Sequence, residues 1–296
     1  MAAPEIVHPV QDTGWDTTGM EIHWVDVFAT GPLTGNPLAV VMGDALPPDA
    51  AMQRLAAELG LSETVFAARA REPEVRIFTP EAEIPLAGHP TVGAAWVLRR
   101  AGWIGDDGVL RTRAGAIPVR AGARGASMTR SGPVCRGMAD SAALARCLGA
   151  RATGDAPIWD AGLPQAMLPV ERLDDLSPDH AALRALGEGE GWVGVSAYVA
   201  TGSDADARAE VRHFAAPIGI DEDPVTGSAA GALGAALSAG RGADLQLTVL
   251  QGHHVGRPGE VRVTVRHGHG GPTDVTVGGA VVPVMRGTVG AEALGG

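Results

Sequence analysis

At 296 residues, 45% of them hydrophobic, the chain is long enough for one large domain or two of ordinary size. Its formal net charge is −11, from 23 basic residues, all of them Arg, against 34 acidic ones. Nucleic acid and anionic membrane surfaces are excluded as partners, because both demand clustered positive charge.

Residues 1–20 read as a loose extension without the apolar segment of a signal peptide. Strands are expected over 22–28 ("IHWVDVF") and 37–42 ("PLAVVM"), joined by the turn-rich "ATGPLTGN". In "DAAMQRLAAELG", Met52, Leu55, Ala56 and Leu59 share a helical face, with Asp49 as N-cap and Gly60 as the stop. "LSETVFAAR" and "EVRIFT" read as strands. "GHPTVGAAWVLRRAG" reads as a helix closed by Gly102, followed by the short strands "GVLRTRAG", "AIPVRAG" and "ASMTR".

The second half repeats this style. "PIWDAGLPQAMLPV" reads as strand, turn and strand, and "SPDHAALRALGE" as a helix starting at Ser177 or Asp179. "GWVGVSAYVAT" and "AEVRHFA" are strands, and "GSAAGALGAALSAG" is a helix of small residues. "LQLTVLQG", "EVRVTVR" and "DVTVGGAVVPVMRGTV" end the chain as strands. Aromatic residues make up only 4%, so the core must rest on Ala, Val and Leu. No apolar run approaches the ~18 residues that span a membrane. Cys135 and Cys147 make no disulfide framework, and a cytoplasmic protein is expected.

Residues 78–95 ("FTPEAEIPLAGHPTVGAA") resemble 214–233 ("FAAPIGIDEDPVTGSAAGAL"). In each, a Phe closes a strand, an acidic loop follows, and Gly plus a polar residue opens an Ala/Gly-rich helix. Gly88–His89 then corresponds to Gly227–Ser228. A helix so rich in small residues suits a position surrounded by strands on every side. Two similar lobes are expected, each a curved sheet around one central helix.

With such a duplication, two helix N-termini point at one cleft, where their N–H groups and dipoles bind a carboxylate without Lys or Arg. Asp221 and Glu222 read as solvated loop charges, and Asp223 either as a helix cap or as a proton carrier at the rim. His89, just inside a helix start, has its pKa lowered by the dipole and serves as a neutral donor or acceptor. Glu63 opens an apolar strand beside Leu61, Val65 and Phe66, where desolvation raises a carboxyl toward neutrality. The His pairs in "QGHHVGRPG" and "RHGHGG" lack metal-ligand spacing, and "GSAAG" is not a nucleophile elbow.

"TGNPLAVV", then "LSETVF" with "FTPEAEIPLAGHPTVGAA", then "DEDPVTGSAAG" with "QGHHVGRPGEV" and "VGGAVV", run in order over about residues 22–290. Together they resemble the phenazine-biosynthesis isomerase-like (PhzF-like) family, which has the fold of diaminopimelate epimerase. The resemblance implies an α+β, duplicated diaminopimelate-epimerase-like fold, two lobes each a mixed β-sheet wrapped around a central α-helix, with the site in the cleft. The expected division is an extension over 1–20, one lobe from 21–128 plus about 281–296, and a second from 129–280.

The resemblance also implies an activity. The type member isomerises trans-2,3-dihydro-3-hydroxyanthranilate without metal or organic cofactor, by moving a proton along the ring. On matched positions Glu63 is the shuttling acid, His89 and Asp223 complete the catalytic set, and Gly88, Gly227 and Ser228 bind substrate. Epimerases of this fold place a cysteine at each helix start, where this chain has His89 and Ser228, so two-base racemisation is disfavoured. Pro224 and the low aromatic content depart from the type member. The expectation is a cofactor-free isomerase of a small unsaturated carboxylate in secondary metabolism, acting as a homodimer. Its rivals are a Ser228–His89–Asp223 hydrolase and a non-catalytic binding protein of the same fold.

Overall fold

The computed structural model describes residues 19–202 and 206–294. The expected extension over 1–20 lies outside the described residues as far as 18, and Met20 already belongs to the first strand. The first half runs β1 (Met20–Val27), β2 (Asn36–Gly43), α1 (Asp49–Leu59), β3 (Thr64–Ala68), β4 (Glu74–Phe78), β5 (Glu83–Ile84), α2 (Gly88–Arg100), β6 (Asp107–Thr112), β7 (Gly115–Ala121) and β8 (Gly125–Ser131). The second runs β9 (Val134–Ala139), α3 (Ser141–Leu148), β10 (Ala156–Asp160), β11 (Pro164–Pro169), α4 (His180–Glu190), β12 (Gly194–Thr201), β13 (Ala207–Ala215), β14 (Ile220–Asp223), α5 (Gly227–Arg241), β15 (Leu245–Gln251), β16 (Gly259–Gly268) and β17 (Gly271–Val289).

One scheme of strand pairing occurs twice. β1–β2 is antiparallel, β2–β3 parallel, β3–β4 antiparallel, β4–β6 parallel, and β6–β7 and β7–β8 antiparallel. β10–β11, β11–β12, β12–β13, β13–β15, β15–β16 and β16–β17 repeat those senses in the same order. A parallel pair needs a crossover. α1 and α4 supply the first crossover of each half, and α2 and α5 the second. The long β17 also pairs with β1 and β8, joining the halves into one sheet of strand-rich α+β architecture.

The duplication extends to side chains. Arg76 is held bidentately by Glu83 at 2.8 and 2.6 Å and lies over the ring of Phe78 at 5.2 Å. Arg212 is held bidentately by Glu222 at 3.0 and 2.8 Å and lies over Phe214, also at 5.2 Å. The Phe and the acidic loop are visible in the aligned sequences. The Arg two residues before each Phe completes the pair.

The helices divide into two kinds. α1, α3 and α4 bury one face each. α2 is buried at every residue from Gly88 to Leu98, and α5 along Ala229–Ala235, so neither has a solvent face over that length. α2 packs against β1, β2, β3, β7, β8 and β17, and α5 against β10, β11, β12, β15, β16 and β17. Small residues make this enclosure possible. A Cβ at Gly93 would lie 2.4 Å from Leu38 Cδ2, and one at Gly234 would lie 2.6 Å from Val263 Cγ1. Around them the strands alternate, as in β15 and β16, where Leu245, Leu247, Val249, Val261, Val263 and Val265 point inward.

Some local expectations need correction. The N-cap of α1 is Pro48, while Asp49 is the first helical residue and binds Arg76 at 2.5 Å. α4 starts at Asp179, whose carboxylate accepts from Ala182 N, and not at Ser177. Gly60 closes α1 in the left-handed region, as expected. β9 and α3 have no counterpart among the expected elements.

The close packing of α2 sets an expectation. Gly93→Ala should destabilise the protein by about 1–3 kcal/mol, because the new methyl enters a filled core. Gly189→Ala in α4, where an added Cβ meets nothing within 4 Å, should instead stabilise by up to about 1 kcal/mol. Urea unfolding of both variants checks this, and equal midpoints would contradict the enclosure of α2.

Candidate active site

The N-termini of α2 and α5 abut. A Cβ at Gly88 would lie 3.0 Å from the backbone nitrogen of Ser228 and 3.2 Å from Gly227 Cα. A Cβ at Gly227 would lie 3.4 Å from the backbone nitrogen of His89. Neither helix start carries a side-chain cap. The first N–H groups of both helices therefore face a common space with their dipoles converging on it. The expected juxtaposition of Gly88, Gly227 and Ser228 is present in the structure.

Glu63, His89 and Asp223 gather beside this junction. Glu63 immediately precedes β3, held there by the parallel β2–β3 pairing. His89 is the second residue of α2 and only 4% exposed. Its Nε2 lies 3.6 Å from Glu63 Oε2, beyond hydrogen-bond range, and both atoms are buried without a partner. Two adjacent buried polar atoms without protein partners are costly, and a ligand's polar group would satisfy them. Asp223 ends β14, where Oδ1 accepts from Asn36 Nδ2 at 3.1 Å and Oδ2 accepts from the Thr226 hydroxyl.

Three further residues hold the site. Asn36 Nδ2 also donates to the Val225 carbonyl at 3.0 Å, and its Oδ1 accepts from Ser62 at 3.4 Å, so one amide links both halves. Gln251 Nε2 donates to the Asp223 carbonyl at 2.8 Å and to Thr226 Oγ1 at 3.1 Å. The loop before Asn36 is pinned by Arg257, which donates to the Gly35 carbonyl at 2.8 Å and to buried Asp26 at 2.6 Å. Asn36 and Arg257 sit in motifs that the sequence displays. An Asn after Gly reads as a turn residue, however, and nothing in the motifs that hold Thr226 and Gln251 singles out those two side chains.

Burial controls the protonation states. It pushes the Glu63 carboxyl up to about 7, against a smaller lowering by the Ser62 hydroxyl. It pushes His89 down to about 4, against the negative charge of Asp223 and the Pro37 carbonyl. It also raises Asp223, helped by the charge of Glu63 and opposed by His89, Thr226 and Asn36. At neutral pH the imidazole is uncharged and Glu63 is shared between its two forms, the condition for giving and taking a proton.

Other expected chemistry does not assemble. Among the described residues no hydrogen bond joins Ser228 to His89 or His89 to Asp223, so the hydrolase triad is not formed. Glu222 is committed to Arg212, whereas Asp221 is 78% exposed near His180, so only the latter is the solvated loop charge expected of both. Cys135 is exposed and Cys147 lies in α3, neither at a helix start. Among the described residues no three His, Cys, Asp or Glu side chains converge in a metal-holding group.

This geometry has relatives. The family profile described as "Phenazine biosynthesis-like protein" matches residues 25–287. Trans-2,3-dihydro-3-hydroxyanthranilate isomerase from Pseudomonas fluorescens is 33% identical over 284 residues, covering 90% of this chain and 97% of that protein. The crystal structure of the Bacillus anthracis phenazine biosynthesis protein of the PhzF family matches with a TM-score of 0.80 at 26% identity, covering 91% of this chain and 98% of that one. A probable proline racemase from Agrobacterium radiobacter shares the fold, with a TM-score of 0.62 at 14% identity over 91% of this chain and 92% of that one. The chain belongs to the phenazine biosynthesis-like family, and it is an enzyme of the isomerase class.

The raised Glu63 has a consequence for stability. Its folded pKa of about 7 exceeds the ordinary 4.5. The contribution of the protonated form is therefore fully present below about 4.5 and lost as pH rises through 7. Glu63→Gln, which cannot ionise, should match wild type near pH 4 and exceed it by on the order of 2–3 kcal/mol at pH 8.5. Denaturant unfolding across that range tests it; a pH-independent difference would mean that Glu63 is not desolvated.

Proposed function

We propose that this chain moves a proton between two carbons of a small unsaturated carboxylate, with Glu63 as the one acid/base group and no metal or organic cofactor. The observation that carries the reading is the buried Glu63 carboxyl beside the orphan Nε2 of His89. A carboxyl with a pKa near 7 removes a proton from carbon as the anion and returns it as the acid. His89 and Asp223 hold the substrate's polar substituents, and the amides around Gly88, Gly227 and Ser228 bind its carboxylate. The activity of the Pseudomonas fluorescens relative makes trans-2,3-dihydro-3-hydroxyanthranilate the first substrate to try.

One-base chemistry is favoured by the two helix starts, which carry His89 and Ser228 where a two-base racemase of this fold has cysteines. The proposal extends to a cleft between lobes 21–128 plus about 281–296 and 129–280. It also extends to a homodimer in the cytoplasm, and to a place in secondary metabolism. The exposed Met285 and Val284 of β17 are apolar surface that a second copy would cover.

Glu63→Gln should lower kcat by about 10²–10⁴-fold with little change in ligand affinity. In D₂O, a single turnover of unlabelled substrate should give product with less than one full deuterium at the new C–H. Substrate deuterated at the donor carbon should pass label to the acceptor carbon. Full solvent incorporation with no transfer would favour two separate acid/base groups, and near-wild-type turnover by the Gln variant would remove Glu63 from the mechanism.

A further inference from the structure

A narrow cavity adjoins the junction of α2 and α5. Its walls include Gly88, Gly227, Ser228, Ala161 and Leu163, and they do not include Glu63, His89 or Asp223. One charged side chain lines it, that of Arg130 on β8. The buried Nε of Arg130 has no partner, and among the described residues its guanidinium makes no hydrogen bond or ion pair.

Arg76, Arg212 and Arg257 are all paired with carboxylates. An acid lies close in register, since Asp274 of β17 is opposite Ser131. Alternation places it on the other face, where the Ser131 hydroxyl donates to it and Thr129 meets Thr276 at 2.9 Å. Arg130 and Met128 share the face toward the cavity, with Val275 and Val277 opposite them. The strand register thus keeps Arg130 on the face opposite Asp274, beside Met128, Val275 and Val277.

We infer that Arg130 recognises the substrate's carboxylate, its guanidinium and the amide-bearing starts of α2 and α5 forming one anion subsite in this cavity. The inference rests on the reading of the substrate as a carboxylate and names the residue that selects it. The cavity takes a small group and not a ring, so the carboxylate enters it while the reacting carbons stay near Glu63. Separation also keeps the substrate's charge away from the Glu63 anion, which it would otherwise repel.

The test uses 3-hydroxyanthranilate, a stable aromatic stand-in for the dihydro substrate of the Pseudomonas relative, and its carboxamide, which has the same shape without the charge. By titration calorimetry at pH 7.5, wild type should bind the acid about 10–100-fold more tightly than the amide, the range expected of a charge-assisted hydrogen bond. Arg130→Gln should abolish most of that preference while amide affinity stays within about threefold, since only the charge contact is lost. Arg130→Lys should restore part of it, and keeps the test readable if the Gln variant folds poorly. An unchanged acid-to-amide ratio in Arg130→Gln, or no preference in wild type, would overturn the assignment. Glu63→Gln should keep the ratio while losing turnover. A Gln variant at position 63 that stays active would remove the proton-transfer reading and leave the Arg130 result standing by itself.

Discussion

The contact between two helix N-termini at Gly88 and Gly227 is the constraint on which the site depends. A Cβ at Gly88 would press on the backbone of Gly227 and Ser228, so the approach depends on Gly88 lacking one. Backbone proximity brings uncapped amides and two converging dipoles together in a protein of net charge −11. It also makes the surroundings dry. His89 and Asp223, 4% and 7% exposed, are buried because α2 and α5 close over them from opposite halves.

The electrostatics follow from that burial. Three titratable groups share a small volume with little water, and each is displaced toward its neutral form. Their differences come from partners. Asp223 has Asn36 and Thr226 to stabilise its charge, whereas Glu63 has only the Ser62 hydroxyl, which also lies within reach of Asn36. In the proposed proton shift the carboxyl with few partners would carry the proton, and the one with many would stay fixed. Arg130 completes this division by offering a cation to the ligand where the protein supplies no anion.

Duplication built the frame, and divergence built the chemistry. Both halves keep the same strand pairings and the same Arg–carboxylate pair above a Phe. At the helix starts one half presents His89 and the other Ser228. The chain before β3 offers Glu63, and the position in the same register of the second half is Gly194, since Thr64 pairs with Phe78 and Val195 with Phe214. The repeated strand scaffold thus brings different side chains to the junction, Glu63 and His89 from one half and Asp223 and Ser228 from the other.

Much of this was legible in the amino-acid order. Period-2 alternation marked the strands, the Ala/Gly-rich composition of 227–240 marked an enclosed helix, and the resemblance carried by the motifs singled out Glu63, His89, Asp223, Gly88, Gly227 and Ser228. Local signals failed where they were short or ambiguous. β9 is exposed along nearly its whole length and carries no alternation, and α3 has only eight residues. Asn36 looked like a turn residue, and Arg130 was one arginine among 23. Their roles depend on what lies opposite them across the sheet, 187 residues away for the Asn36–Asp223 bond. The sequence by itself determined which residue types could do the chemistry and which helices had to be buried, because periodicity and side-chain size are local properties. Only the tertiary structure decided which of them meet, which charges are left without partners and how far each pKa moves, because register and desolvation arise from contacts between segments far apart in the chain.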